Sequence, residues 1–270
     1  MKFGICNEVF EGWSIDDTIR FVAETGYDAI EIAPFTLAQY VTEIPVAERQ
    51  RIRGVAADNG IEVSAIHWVL IKTEGLYMTH TDAAIREKTS DYFCELVDCC
   101  ADLGGKAIVV GSPKLRNLLP GVSFEQAWEL ARETFAKSIK RAEGKGVTIC
   151  FEPLAPSETD FINTAEQAIE FVSHFESDAF KIILDVKAMS SETKPIPDII
   201  RDSHPNFAYF HCNDENLKGP GFGDVDFRPI FGALKEVGYD GVASVEVFDF
   251  EEGPETIARE SLRYMKEASA

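Results

Sequence analysis

Short apolar runs rich in β-branched residues alternate with longer amphipathic stretches along the whole chain, eight times over. Alternation at roughly 30 residues per repeat is the pattern of βαβ units around a parallel sheet. The spacing predicts strands over 3–6, 29–32, 63–66, 107–110, 148–151, 181–184, 208–210 and 243–245. Helices are predicted over 15–24, 46–59, 82–103, 124–145, 164–175, 197–203, 227–237 and 255–267. Ser14 and Thr164 stand at N-cap positions, where a side-chain oxygen can accept from a free backbone N–H. Gly26, Gly60, Gly104, Gly146 and Gly238 each follow a helix, as expected where a left-handed residue ends it.

Two features favour a closed (β/α)8 TIM barrel over an open doubly wound sheet. The segment 25–31, TGYDAIE, recurs weakly as 237–243, VGYDGVA, both times at a helix-to-strand turn. The first strand-to-helix turn, 7–13, reads NEVFEGW and lacks the glycine fingerprint of a dinucleotide fold. There is also no phosphate-binding P-loop and no G-x-S-x-G elbow. The 270 residues suit one barrel, which usually needs about 250. No linker or composition break divides them, so a single domain over 1–270 is expected.

Composition narrows the partners. The net charge of −20 speaks against nucleic acid, whose binding draws on cations that neutralise phosphates. No run approaches the roughly 18 apolar residues that suggest a membrane span. The N-terminus enters a strand at once, without the apolar region of a signal peptide. Six cysteines contain no C-x-x-C pair, which suits a reducing cytoplasm and no disulfide framework. A homo-oligomer is compatible with the sequence, which does not decide it.

One acid or imidazole recurs at the ends of the last four strands: Glu152, Asp185, His211 and Glu246. They are about one βαβ repeat apart, so in a barrel they meet at the C-terminal mouth. Three carboxylates gathered there repel one another unless a cation joins them. With an imidazole they form a mixed site that suits Mn²⁺, Mg²⁺, Co²⁺ or Zn²⁺. Any one of them alone reads more simply as a helix cap; four in register do not. His67, after strand three, is a candidate substrate contact or acid/base, weighed equally against packing. Lys114 and Arg116, after strand four, are candidate anion contacts, with a solvated loop charge as the plainer reading for Arg116. Lys187 stands beside Asp185, near enough to reach substrate.

The contexts FEP around Glu152, LDV around Asp185, FHCND around His211 and VEV around Glu246 resemble the xylose isomerase-like TIM-barrel superfamily. Within it they are most similar to the sugar (phosphate) isomerase/epimerase group. The glycine-rich segment 219–227 resembles that group's loop after strand seven, and the likeness covers nearly the whole chain. The resemblance implies one divalent metal on those four residues and a carbohydrate substrate. It implies proton abstraction α to a carbonyl, with a metal-stabilised enediolate, and Glu152 and Glu246 as the two proton carriers. Glu158 matches a substrate-contacting acid of the group. Two positions depart from its ketose 3-epimerases. Ala188 replaces a substrate-binding His, and the segment 213–218 lacks an expected Arg. The same scaffold and metal would also serve a lyase of the keto-cyclitol or dehydroshikimate dehydratase type.

Overall fold

The computed structural model describes all 270 residues. Eight strands close a parallel barrel in chain order: β1 (Lys2–Cys6), β2 (Ala29–Ile32), β3 (Glu62–Ile66), β4 (Ala107–Val110), β5 (Thr148–Phe151), β6 (Phe180–Asp185), β7 (Phe207–Cys212) and β8 (Val242–Val245). β8 pairs with β1 and completes the ring. The helices are α1 (Ile15–Thr25), α2 (Val46–Asp58), α3 (Ala83–Leu103), α4 (Phe124–Lys145), α5 (Ala165–Ser173), α6 (Val186–Met189), α7 (Ile196–Ser203), α8 (Phe227–Glu236) and α9 (Pro254–Ala268). The predicted alternation therefore holds, with one addition. α6 is a single turn directly after β6, too short to leave a periodic pattern.

Local chemistry sets the helix boundaries. Ser14 accepts from the Asp17 N–H and Thr164 from the Gln167 N–H. Gly26, with φ of 99°, ends α1 in the left-handed region, where a Cβ is costly.

Strand alternation produces two cores. Outward residues such as Ile5, Ile30, Ile66, Phe151, Leu184 and Phe210 join the large apolar layer beneath the helices. Phe135, Phe151, Phe171 and Phe180 pack ring to ring within it. Truncating one such ring to alanine costs about 3–5 kcal/mol. Inward residues form a much smaller cluster: Ala29, Ala65, Ala107, Val109, Cys150, Ile183, Tyr209 and Val242. Side chains two residues further along a strand point the same way. From Ala29, Ala65, Cys150, Ile183 and Tyr209 that step reaches Glu31, His67, Glu152, Asp185 and His211. The barrel interior thus changes from small and apolar to ionisable within one layer.

Candidate metal centre and active site

Glu152, Asp185, His211 and Glu246 converge as the sequence suggests. All four are buried, and one ligand atom from each lies within 4.8 Å of the others. β6 and β7 extend beyond their predicted ends, and the longer ladder pairs Asp185 directly with His211.

Each group is held differently. Asp185 Oδ1 accepts from the Ala188 N–H (2.8 Å) and caps α6, so the helix-cap reading applies to this residue as well. Its Oδ2 accepts from Asn213 Nδ2 at 2.6 Å. Glu246 Oε1 accepts from Trp68 Nε1 at 2.7 Å and lies 3.3 Å from His67 Nδ1. Glu152 fits only because residue 111 is glycine; a methyl group there would overlap its Oε2. Its carbonyl accepts from Arg116 Nη1 at 2.7 Å.

The imidazole is oriented from behind. His211 Nε2 lies 3.1 and 3.2 Å from the two oxygens of Glu31, which is fully buried. That leaves Nδ1 facing the carboxylates, 3.0 Å from Glu246 Oε2 and 3.8 Å from Asp185 Oδ2. Neither Nδ1 nor Oε2 has a hydrogen bond of good geometry, despite their approach. Two buried, orphaned donor atoms beside two further carboxylates are the feature a divalent cation would satisfy. The donor set therefore fits a metal.

The electrostatics agree. Burial, then Glu246 and Asp185, push the Glu152 carboxyl up to about 8. Burial and Glu246 push Asp185 up to about 6. Burial works against charge on Glu246, yet His211 and His67 hold it well below the usual carboxylate range. Burial also opposes charge on Glu31, but His211 and His67 bring it down to about 2. Burial disfavours protonation of His211, whereas Glu246 and Glu31 outweigh it and raise the imidazole well above its ordinary value.

A cavity of about 430 Å³ opens onto the cluster, within the range of small-molecule sites. Glu152 and Glu246 reach it, as do the candidates Lys114, Glu158 and Lys187. Lys187 Nζ lies 2.8 Å from Glu158 Oε1 and 4.3 Å from the Phe248 ring centre. His67 is not part of the cavity wall. It is fully buried behind Glu246, with Nε2 2.8 Å from Glu8 Oε2, so the structure makes it a brace rather than a substrate contact. Arg116 is no solvated loop charge. It is fully buried, with its guanidinium 4.9 Å over the Phe151 ring.

Glu31, Glu8 and Trp68 join the site without having been expected from the sequence. Glu31 stands at the same step beyond the inner core as Glu152, Asp185 and His211, and that position is the available signal. Cys6, Glu31, His67 and His211 also lie close enough together to hold an ion. Their atoms already contact one another, with Cys6 Sγ 3.4 Å from Glu31 Oε2, so they form a supporting layer beneath the first site.

A closed barrel whose mouth carries this donor set defines a class, and residues 19–268 match the family model described as xylose isomerase-like TIM barrel. The chain belongs to that family. It is 28% identical to D-psicose 3-epimerase of Agrobacterium fabrum, over 92% of this chain and 85% of that protein. It is 23% identical to 3-dehydro-D-guloside 4-epimerase of Escherichia coli K12, covering 98% and 99% of the two chains. A solved D-psicose 3-epimerase structure, obtained in the presence of D-fructose, superposes with a TM-score of 0.86. It is 25% identical and covers 100% of this chain and 99% of that one.

Proposed function

We propose that this chain, as one barrel domain over 1–270, is a divalent-metal-dependent epimerase or isomerase of a ketose or related keto-sugar. The observation that carries the reading is the pair Glu152 and Glu246, both buried, both lining the cavity, and both within the ligand cluster. A divalent ion held by Glu152, Asp185, His211 and Glu246 supplies Lewis-acid stabilisation of negative charge on a substrate oxygen.

The protein's own groups do the rest. Glu152 takes no hydrogen bond from a protein donor at its side chain, and burial favours its protonated form, so it suits a group that takes up and returns a proton. Glu246, braced by Trp68 and His67, acts on the same carbon as the second carrier. Asp185 and His211 would hold the ion, and are themselves fixed by Asn213 and Glu31. Lys114, Glu158 and Lys187 contact the sugar. The wall formed by Trp68, Leu115, Leu154 and Phe248 excludes water and stacks on its apolar face.

The named relatives are epimerases, which favours proton return over the dehydratase alternative. Mn²⁺, Mg²⁺, Co²⁺ and Zn²⁺ all suit the donors, and elemental analysis of the purified protein distinguishes them. Six free thiols fit a reducing cytoplasm, and no helix is long and apolar enough to cross a membrane.

The test is proton exchange. Ketoses incubated with metal-loaded protein in D2O gain deuterium at the α-carbon, read by NMR. Glu152→Gln and Glu246→Gln each lower the exchange rate by about 10²–10⁴-fold. Wild-type exchange rates in both variants would refute the assignment.

A further inference from the structure

Two aromatic rings, Trp68 and Phe248, line the cavity, and Phe35, outside its lining, continues their stack, which has a cation at each end. Phe35, Trp68 and Phe248 stack in a row, with ring centres 5.8 and 5.9 Å apart and planes within 28° and 25°. Lys187 Nζ stands 4.3 Å from the Phe248 centre, and Lys72 Nζ stands 4.5 Å from the Phe35 centre. Trp68, the middle ring, is tied to the site by its hydrogen bond to Glu246. Lys114, from the loop after β4, lines the same cavity.

These lysines are not equivalent. Lys187 is matched by Glu158, 2.8 Å away. The other two lining carboxylates, Glu152 and Glu246, belong to the metal set. Lys72 and Lys114 make no ion pair, in a chain where acids outnumber bases 46 to 26. They come from loops after adjacent strands, β3 and β4. Lys72 is held with φ of 62°, a left-handed conformation uncommon for a residue with a side chain. Two ammonium groups without a carboxylate partner, both exposed at the cavity's rim and beside aromatic rings that shed water, offer a site for an anion.

We propose that the substrate is an acidic sugar derivative, whose carboxylate or phosphate binds Lys72 and Lys114 while its polyol end meets Glu158, Lys187 and the metal centre. This rests on the epimerase or isomerase reading above and adds the chemical class of its substrate. A neutral ketose would offer neither ammonium group a counter-charge.

Three probes test it with metal-loaded enzyme: a ketohexose, its 6-phosphate and the corresponding ketohexuronate. Deuterium exchange gives kcat/KM for each, and calorimetry gives binding. One of the anionic probes exceeds the neutral ketose by at least about tenfold in kcat/KM, and the preferred one distinguishes carboxylate from phosphate. The double variant Lys72→Met/Lys114→Met lowers that ratio by at least about tenfold, mainly through KM, and the advantage shrinks with added salt. Preference for the neutral ketose, or an unchanged ratio in the double variant, overturns the proposal and leaves the epimerase reading standing. Lysine-dependent anion binding without any exchange does the reverse. Absence of both refutes the two together.

Discussion

At Gly111 the barrel wall carries no side chain, and the Glu152 carboxylate occupies the space a methyl group would need. Its backbone φ lies outside the glycine-favoured range, so alanine fits the chain itself. Gly111→Ala should therefore fold normally by circular dichroism while its metal affinity, measured by calorimetry, falls at least about tenfold. Unchanged affinity would mean that Glu152 does not need its present position. Arg116 shows a similar dependence on surroundings. Burial lowers its guanidinium to about 10, against the pull of Glu152 and Glu158. In sequence it is one cation in a polar loop. Only the folded loop, with Phe151 beneath it and the Glu152 carbonyl ahead, explains why it is buried.

Across elements, the site is built by strands that are distant in sequence. Glu31 on β2 reaches His211 on β7 through the barrel interior, and a register shift between β2 and β3 falls directly before Glu31. A carboxylate on Nε2 fixes which imidazole nitrogen is free for the ion. Glu31→Gln should weaken metal binding by about 10–100-fold, read by calorimetry rather than turnover, with little change in secondary structure. Equal affinity would reduce Glu31 to a packing residue. Strand context also decides which site residues are legible in the sequence. Glu152, Asp185, His211 and Glu246 could be read because each ends an apolar strand at a regular repeat. Glu31 sits in AIEI, where the flanking isoleucines suggest an ordinary half-exposed strand. His67 was visible as chemistry but not as a brace, because its partners Glu8 and Glu246 come from opposite ends of the chain. The extra residues of β6 and β7 and the single turn of α6 depend on ladder and cap hydrogen bonds that no periodicity records.

For the molecule as a whole, the ionisable layer links stability to pH and metal. Asp185 and Glu152 have folded values of about 6 and about 8, above their ordinary 3.8 and 4.5. Raised values give stability that is complete at low pH and is lost as pH rises through them. His211, also raised, has the same sign. Glu31, at about 2, contributes above 4.5 and loses its contribution only as pH falls toward 2. The chelated protein should therefore lose melting temperature between about pH 5 and pH 8, whereas the metal-loaded protein should not. Over the same interval, apparent metal affinity should rise about tenfold per pH unit for each proton displaced. Parallel melting curves with and without chelator would contradict this. The layer of Cys6, Glu31, His67 and His211 also bears on how such a protein can change over generations. Glu31 answers the charge of His211 and His67, so replacing one of these three alters the balance of the others. Lys72 and Lys114, exposed on the loops after β3 and β4, are free of that constraint. A laboratory seeking a new substrate should vary those two positions and leave the buried tier, with Trp68, Gly111 and Arg116, untouched.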